Sequence, residues 1–160
     1  MADTKTAIQK FNPTQIMVAE NHDAVRSGIT SLLKANGANQ DIINTYSDPE
    51  KMRADMETLC QPSDTSEEKK LLIIAGDGNH QSRFVAKKPI NLLEDITELV
   101  KETGLPDFVD KLAILPVSTE LKNVPKVTNP NEGVVTIAEA LEKPLTNDSL
   151  NKAIDSFVTD

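Results

Sequence analysis

The stretch LLIIAGDGNH, residues 71–80, decides how the rest of the chain is read. Its first half is a continuous apolar run without alternation, the pattern of a strand buried on both faces. Its second half is turn chemistry. Gly76 and Gly78 bracket Asp77, and short polar side chains in such a setting bond the backbone while glycine takes positive φ. A strand buried on both faces needs helices above and below it, so the flanking sequence should alternate strands with amphipathic helices.

The flanks have that alternation. Upstream, residues 15–20 (QIMVAE) form a short apolar run, and Asp23 caps a helix through about Asn36 with Val25, Ile29, Leu32 and Leu33 on one face. Gly37 suits the position that stops it. Residues 41–46 (DIINTY) supply a second strand, and Asp48-Pro49 opens a helix carrying Met52, Met56 and Leu59 at helical spacing. The methionine stripe reads as core. Residues 61–70 are a polar loop.

Downstream, residues 81–89 read as irregular. Leu92, Leu93, Ile96, Leu99 and Val100 then mark a helix ended by Gly104 and Pro106. Residues 112–117 are a fourth strand. Residues 121–133 contain Pro125, Pro130 and several asparagines, a composition that opposes a helix. Strand formers return at the start of 134–141, Lys143-Pro144 closes that segment, and Leu150, Ala153, Ile154 and Phe157 define a last helix. The expected organisation is a polar, flexible lead over residues 1–14 and a single domain over 15–160, with five parallel strands covered on both faces.

Composition bounds the function. A chain of 160 residues can bury a core without disulfides or metals. Seventeen Lys plus Arg against 25 Asp plus Glu give −8, and no basic run is present, so nucleic acid is not an expected partner. One Tyr and no Trp also leave little for a base-stacking platform. The single Cys60 has no partner for an internal bridge and reads as a reduced helix-end thiol. The N-terminal sequence lacks the apolar centre of a signal peptide and no segment reaches membrane-spanning length, so a cytoplasmic protein without membrane insertion is expected.

In a doubly wound sheet the ligand crevice lies beyond the carboxyl ends of the strands. The opening IMVAENHDAVRSGITSLL and the closing ALEKPLTNDSLNKAI, with its Lys-Pro after the fifth strand, resemble a response-regulator receiver domain over roughly residues 15–158. The resemblance implies a flavodoxin-like sheet of order 2-1-3-4-5 with the helix between strands four and five degenerate. It also implies an aspartate after strand three that accepts a phosphoryl group from a histidine kinase, acids after strand one that hold Mg²⁺, and a hydroxyl and a lysine that bind the phosphoryl oxygens.

Carried over residue by residue, the family pattern is uneven. Lys143 matches the lysine and is followed by Pro144. Glu20 falls on the first acid of the acidic pair, Asn21 on the second, and Ser118, with Thr119 beside it, on the hydroxyl. Strand three departs from the pattern: a gap-free placement puts Ala75 at the acceptor position, with Gly76 the next choice and Asp77 two residues further. Two residues span about 6–7 Å of extended chain, and about 1 Å of misplacement can cost on the order of 100-fold in rate. The resemblance therefore implies a stand-alone pseudo-receiver that works through protein contact, without a cofactor. The alternative is an active switch in which a bulge at Gly76 returns Asp77 to the site, with Mg²⁺ held by Glu20 and Asp77. In either case the partner is a signalling protein, a histidine kinase or a downstream effector.

Other chemistries fit less well. GDGNH resembles fragments of metallophosphatase motifs, but such sites gather several His and Asp ligands, and this chain has only His22 and His80. His22 reads as a solvated or capping residue and His80 as lining the strand-three loop. Gly-Asp-Gly followed by an irregular segment is neither a dinucleotide fingerprint nor a P-loop. A small-molecule or nucleotide ligand in the crevice is a third reading.

Overall fold

Odd and even positions of the central strands face opposite layers, so one continuous apolar run serves two cores. The computed structural model describes residues 5–20, 22–47, 49–61, 68–76, 79–81, 89–118, 124, 126–142 and 145–158. In chain order these form α1 (Ala7–Phe11), β1 (Gln15–Ala19), α2 (Asp23–Ala35), β2 (Ile43–Tyr46) and α3 (Pro49–Leu59). Next come β3 (Lys70–Ala75), β4 (Asn79–Gln81), β5 (Pro89–Asn91) and α4 (Leu92–Thr103). The chain continues through β6 (Lys111–Ser118), β7 (Val135–Ile137), β8 (Leu141–Glu142) and α5 (Asn147–Val158).

The main sheet has the order β2-β1-β3-β6-β7, with every pairing parallel, and β8 adds to β6. This is the 2-1-3-4-5 order expected of the chain. Met17, Ala19, Leu71, Ile73, Ala75, Leu112 and Ile114 face a layer containing Met52 and Met56 of α3 and Ile96, Leu99 and Val100 of α4. Ile16, Val18, Leu72, Ile74, Ala113 and Leu115 face α1, α2 and α5. The two methionines are fully buried, as the core reading of their stripe requires.

The expectation of a flexible lead over residues 1–14 is corrected for residues 7–11. They form α1, and Ala7, Ile8 and Phe11 are buried. Thr6 and Gln9 cap the helix reciprocally: the Thr6 hydroxyl accepts from Gln9 N and the Gln9 side chain accepts from Thr6 N. The Thr6 hydroxyl also donates to Asn36 O (2.5 Å), tying α1 to the end of α2. Phe11 packs on Phe157 with ring centroids 6.1 Å apart, and the ammonium groups of Lys70 and Lys111 stand 6.0 and 5.8 Å from its centroid.

Three boundaries also differ. Asp23 is the first residue of α2 rather than its cap, a position held by His22 without a side-chain bond to the helix. Gln81 and Pro89, expected in an irregular segment, belong to an antiparallel pair, β4 with β5, placed between β3 and α4. The fifth strand is split in two. β7 pairs Ile137 with Ile114 and β8 pairs Leu141 with Val117, four steps on one side against three on the other, which makes a one-residue bulge.

Proline explains that split. Leu112 N donates to Val134 O (3.0 Å) and Ala138 N donates to Ile114 O (2.9 Å), so the even-numbered backbone groups of β6 face the fifth strand. Pro116 therefore lacks its N–H on that side, the ladder breaks there, and residues 138–140 swing away. Between β6 and β7 no described residue is helical, in line with the degenerate helix expected there.

Candidate functional site

Three sequence-derived positions come together at the carboxyl ends of adjacent strands. Ala19 and Ala75 are register partners, as are Ala75 and Pro116, so Glu20 and Gly76 are level at the same edge of the sheet and Ser118 stands one residue past their level on β6. With β3 between them, Glu20 and Ser118 end strands about 10 Å apart. Asn21, Asp77, Thr119 and Lys143 lie outside the described residues, and His80 is described only as part of β4.

Glu20 is fully buried. Its N–H donates to Tyr46 O (3.1 Å) and its carbonyl accepts from Arg26 Nη1 (2.7 Å). Its Oε1 accepts from His22 N at 3.2 Å and lies 3.1 Å from His22 Nδ1. Arg26 is itself paired with Asp23, one turn back on α2. His22, read from sequence as a solvated or capping residue, stands at the cap position of α2 with its ring mostly exposed, and in addition one ring nitrogen contacts the buried acid.

The other oxygen of Glu20 stands over Gly76. A Cβ added at Gly76 would lie 2.1 Å from Glu20 Oε2 and 2.7 Å from Ala19 O. Gly76 N also donates to Ala19 O (2.7 Å), which holds the two chains at that separation. Glycine is required here for close approach, a role the sequence reading did not assign to it; its signal was the glycine that directly ends an apolar run. Ala75 points the opposite way, into the layer of Met17, Tyr46 and Leu93. Ala75 and Gly76 carry no carboxylate, and a Cβ at Gly76 has no free space; Asp77, the alternative acceptor, lies outside the described residues.

Ser118 is buried at the end of β6, opposite Glu142 in the β6–β8 register. Tyr46 ends β2 on the other flank, donating its hydroxyl to Asp55 Oδ2 (2.5 Å). Burial, reinforced by that hydrogen bond and by the Asp55 charge, pushes the Tyr46 phenol far above its ordinary range. Cys60 lies half-buried past the end of α3, where its thiol donates to Thr103 O (3.3 Å), and burial raises its pKa.

A hard cation such as Mg²⁺ wants several oxygen ligands. At this edge the described residues bring Glu20, whose Oε1 already accepts from His22, and Glu142 at the end of β8, with β3 and β6 between the two strands. Among the described residues no group of three or more His, Cys, Asp or Glu is arranged to hold an ion. These residues do not by themselves fit Mg²⁺, and no chemical step is derived through it.

No helix among the described residues is long and apolar enough to cross a membrane. No protein-family model and no curated protein matches the chain. Among solved structures it is similar to the response regulator receiver domain (CheY-like) from Methylobacillus flagellatus. The TM-score is 0.55 at 16% identity, covering 90% of this chain and 98% of that one. With its parallel 2-1-3-4-5 sheet, this chain has the flavodoxin-like fold of a CheY-like receiver domain.

Proposed function

We propose that this protein is a stand-alone, receiver-like signalling module that is not phosphorylated and acts through protein contact, without catalysis of its own. The observation that carries the reading is the Glu20 carboxylate seated over Gly76. A Cβ at Gly76 would meet the carboxylate of Glu20, the residue after β1, which supports the reading that no acceptor stands there. Ala75, turned into the apolar layer, supports the same reading. Its partner is a signalling protein, a histidine kinase or a downstream effector, and it needs no cofactor. Such a module conveys information by how its surface docks rather than by a covalent charge, so its site would be cytoplasmic, where such partners reside.

The test is incubation with acetyl phosphate and Mg²⁺ followed by intact mass measurement. The expected result is an unchanged mass. A phosphoryl adduct that disappears in Asp77→Asn would overturn the proposal in favour of a switch that uses Asp77, Glu20, Ser118 and Lys143.

A further inference from the structure

The break in the fifth strand leaves a pocket that the crevice does not use. A right-handed crossover between parallel strands ordinarily lays a helix on the sheet. Between β6 and β7 no described residue is helical, and Val124 and Val127 pack against the core as side chains of a loop. Pro116 interrupts the ladder on this side, and Ala138 and Ala140 line the bulge with short side chains. The result is a cavity of about 430 Å³ bounded by these five residues together with Leu93, Ile137, Lys126 and Asn129. That volume lies within the range typical of small-molecule sites, which are mostly apolar with few polar groups.

The polar groups on the lining differ in availability. Asn129 is committed to its own loop: its Nδ2 donates to Val135 O (2.7 Å) and its Oδ1 accepts from Asn131 N (2.9 Å). Lys126 is exposed and makes no ion pair among the described residues. A lysine beside a pocket lined by apolar and polar groups favours, against the chain's net charge of −8, a ligand with a single negative charge and an apolar body. We infer that this pocket binds a small amphipathic carboxylate, its apolar part over Pro116 and the alanines and its carboxylate toward Lys126. The occupant would bridge α4, β6 and the fifth strand, elements next to the closed crevice. This site is independent of whether Asp77 is phosphorylated.

Octanoate is the probe and octanol its neutral counterpart, each titrated into the full chain with amide shifts followed by heteronuclear NMR. The expected result is saturable, one-to-one octanoate binding with shifts concentrated at Leu93, Val127, Ile137 and Ala138. Octanol, and octanoate with Lys126→Glu, should each bind about tenfold more weakly. Lys126 is on the surface, so that variant should keep the wild-type spectrum elsewhere. Ala140→Phe, which fills the cavity, should abolish the shifts while its melting temperature reports that it is folded. Scattered or non-saturating shifts, or octanol binding as well as octanoate, would overturn the inference. So would octanoate affinity unchanged by Lys126→Glu.

Discussion

At the carboxyl ends of β1 and β3 there is no room for one added methyl carbon beside Gly76, whereas next to them the ends of β6 and the fifth strand border an open pocket of about 430 Å³. Both regions belong to one parallel sheet, and both depart from a regular doubly wound pattern at single residues. In the first, a glutamate one methylene longer than aspartate reaches over a glycine and is held by His22. In the second, a proline removes one ladder donor and the strand bulges. The comparison teaches that two single-residue departures have opposite consequences: one end of the sheet is filled, the other opened.

The largest expected effect comes from forcing the closed end. Gly76→Asp, which restores an acid in register with Glu20, should lower unfolding free energy by about 3 kcal/mol through overpacking against Ala19 O and Glu20. Urea denaturation reads this directly, and a midpoint equal to wild type would mean the end is not closed.

The second effect is a pH dependence. Tyr46 flanks the same end, and its phenol is held neutral above its ordinary pKa of 10.0. The unfolded chain ionises there first, so the Tyr46 contribution is fully present below pH 10 and is lost as pH rises further. Its size is about 1.4 kcal/mol per pH unit. Comparing wild type with Tyr46→Phe by denaturation between pH 9 and pH 11, both values taken about the phenol's ordinary range, isolates that slope; parallel curves would remove Tyr46 from the closed end.

A third, smaller effect is coupling. Gly76→Ala and Glu20→Ala should be non-additive by about 1 kcal/mol, because removing the carboxylate relieves part of the clash while Ala19 O remains. The smallest effect belongs to the open end. Ala140→Val should change stability by no more than about 0.5 kcal/mol, since the cavity accepts the added volume. A larger loss would mean the pocket is tighter than its walls suggest.

The sheet was legible in the sequence because buried parallel strands are written as apolar runs, and QIMVA, KLLIIA and KLAILPVS are such runs. The N-terminal helix was missed although Thr6-x-x-Gln9 is a capping-box signal, because three apolar residues among five do not display a helical period. The β4–β5 pair was missed because three-residue strands carry almost no alternation to detect. At the site, Ala75 and Ser118 end β3 and β6, and Glu20 directly follows β1. That Glu20 would be buried over Gly76 depends on the β1–β3 register and a side-chain rotamer, neither of which local sequence encodes. The bulge likewise follows from which side of β6 faces the fifth strand, so Pro116 alone did not announce it.

The most direct test of the closed end is a heteronuclear NMR titration with beryllofluoride and Mg²⁺, an acyl-phosphate mimic. If Glu20 fills the acceptor space, the amides of Glu20, Gly76 and Ser118 should keep their positions throughout the titration. Saturable shifts at those three amides, abolished by Asp77→Asn, would contradict it.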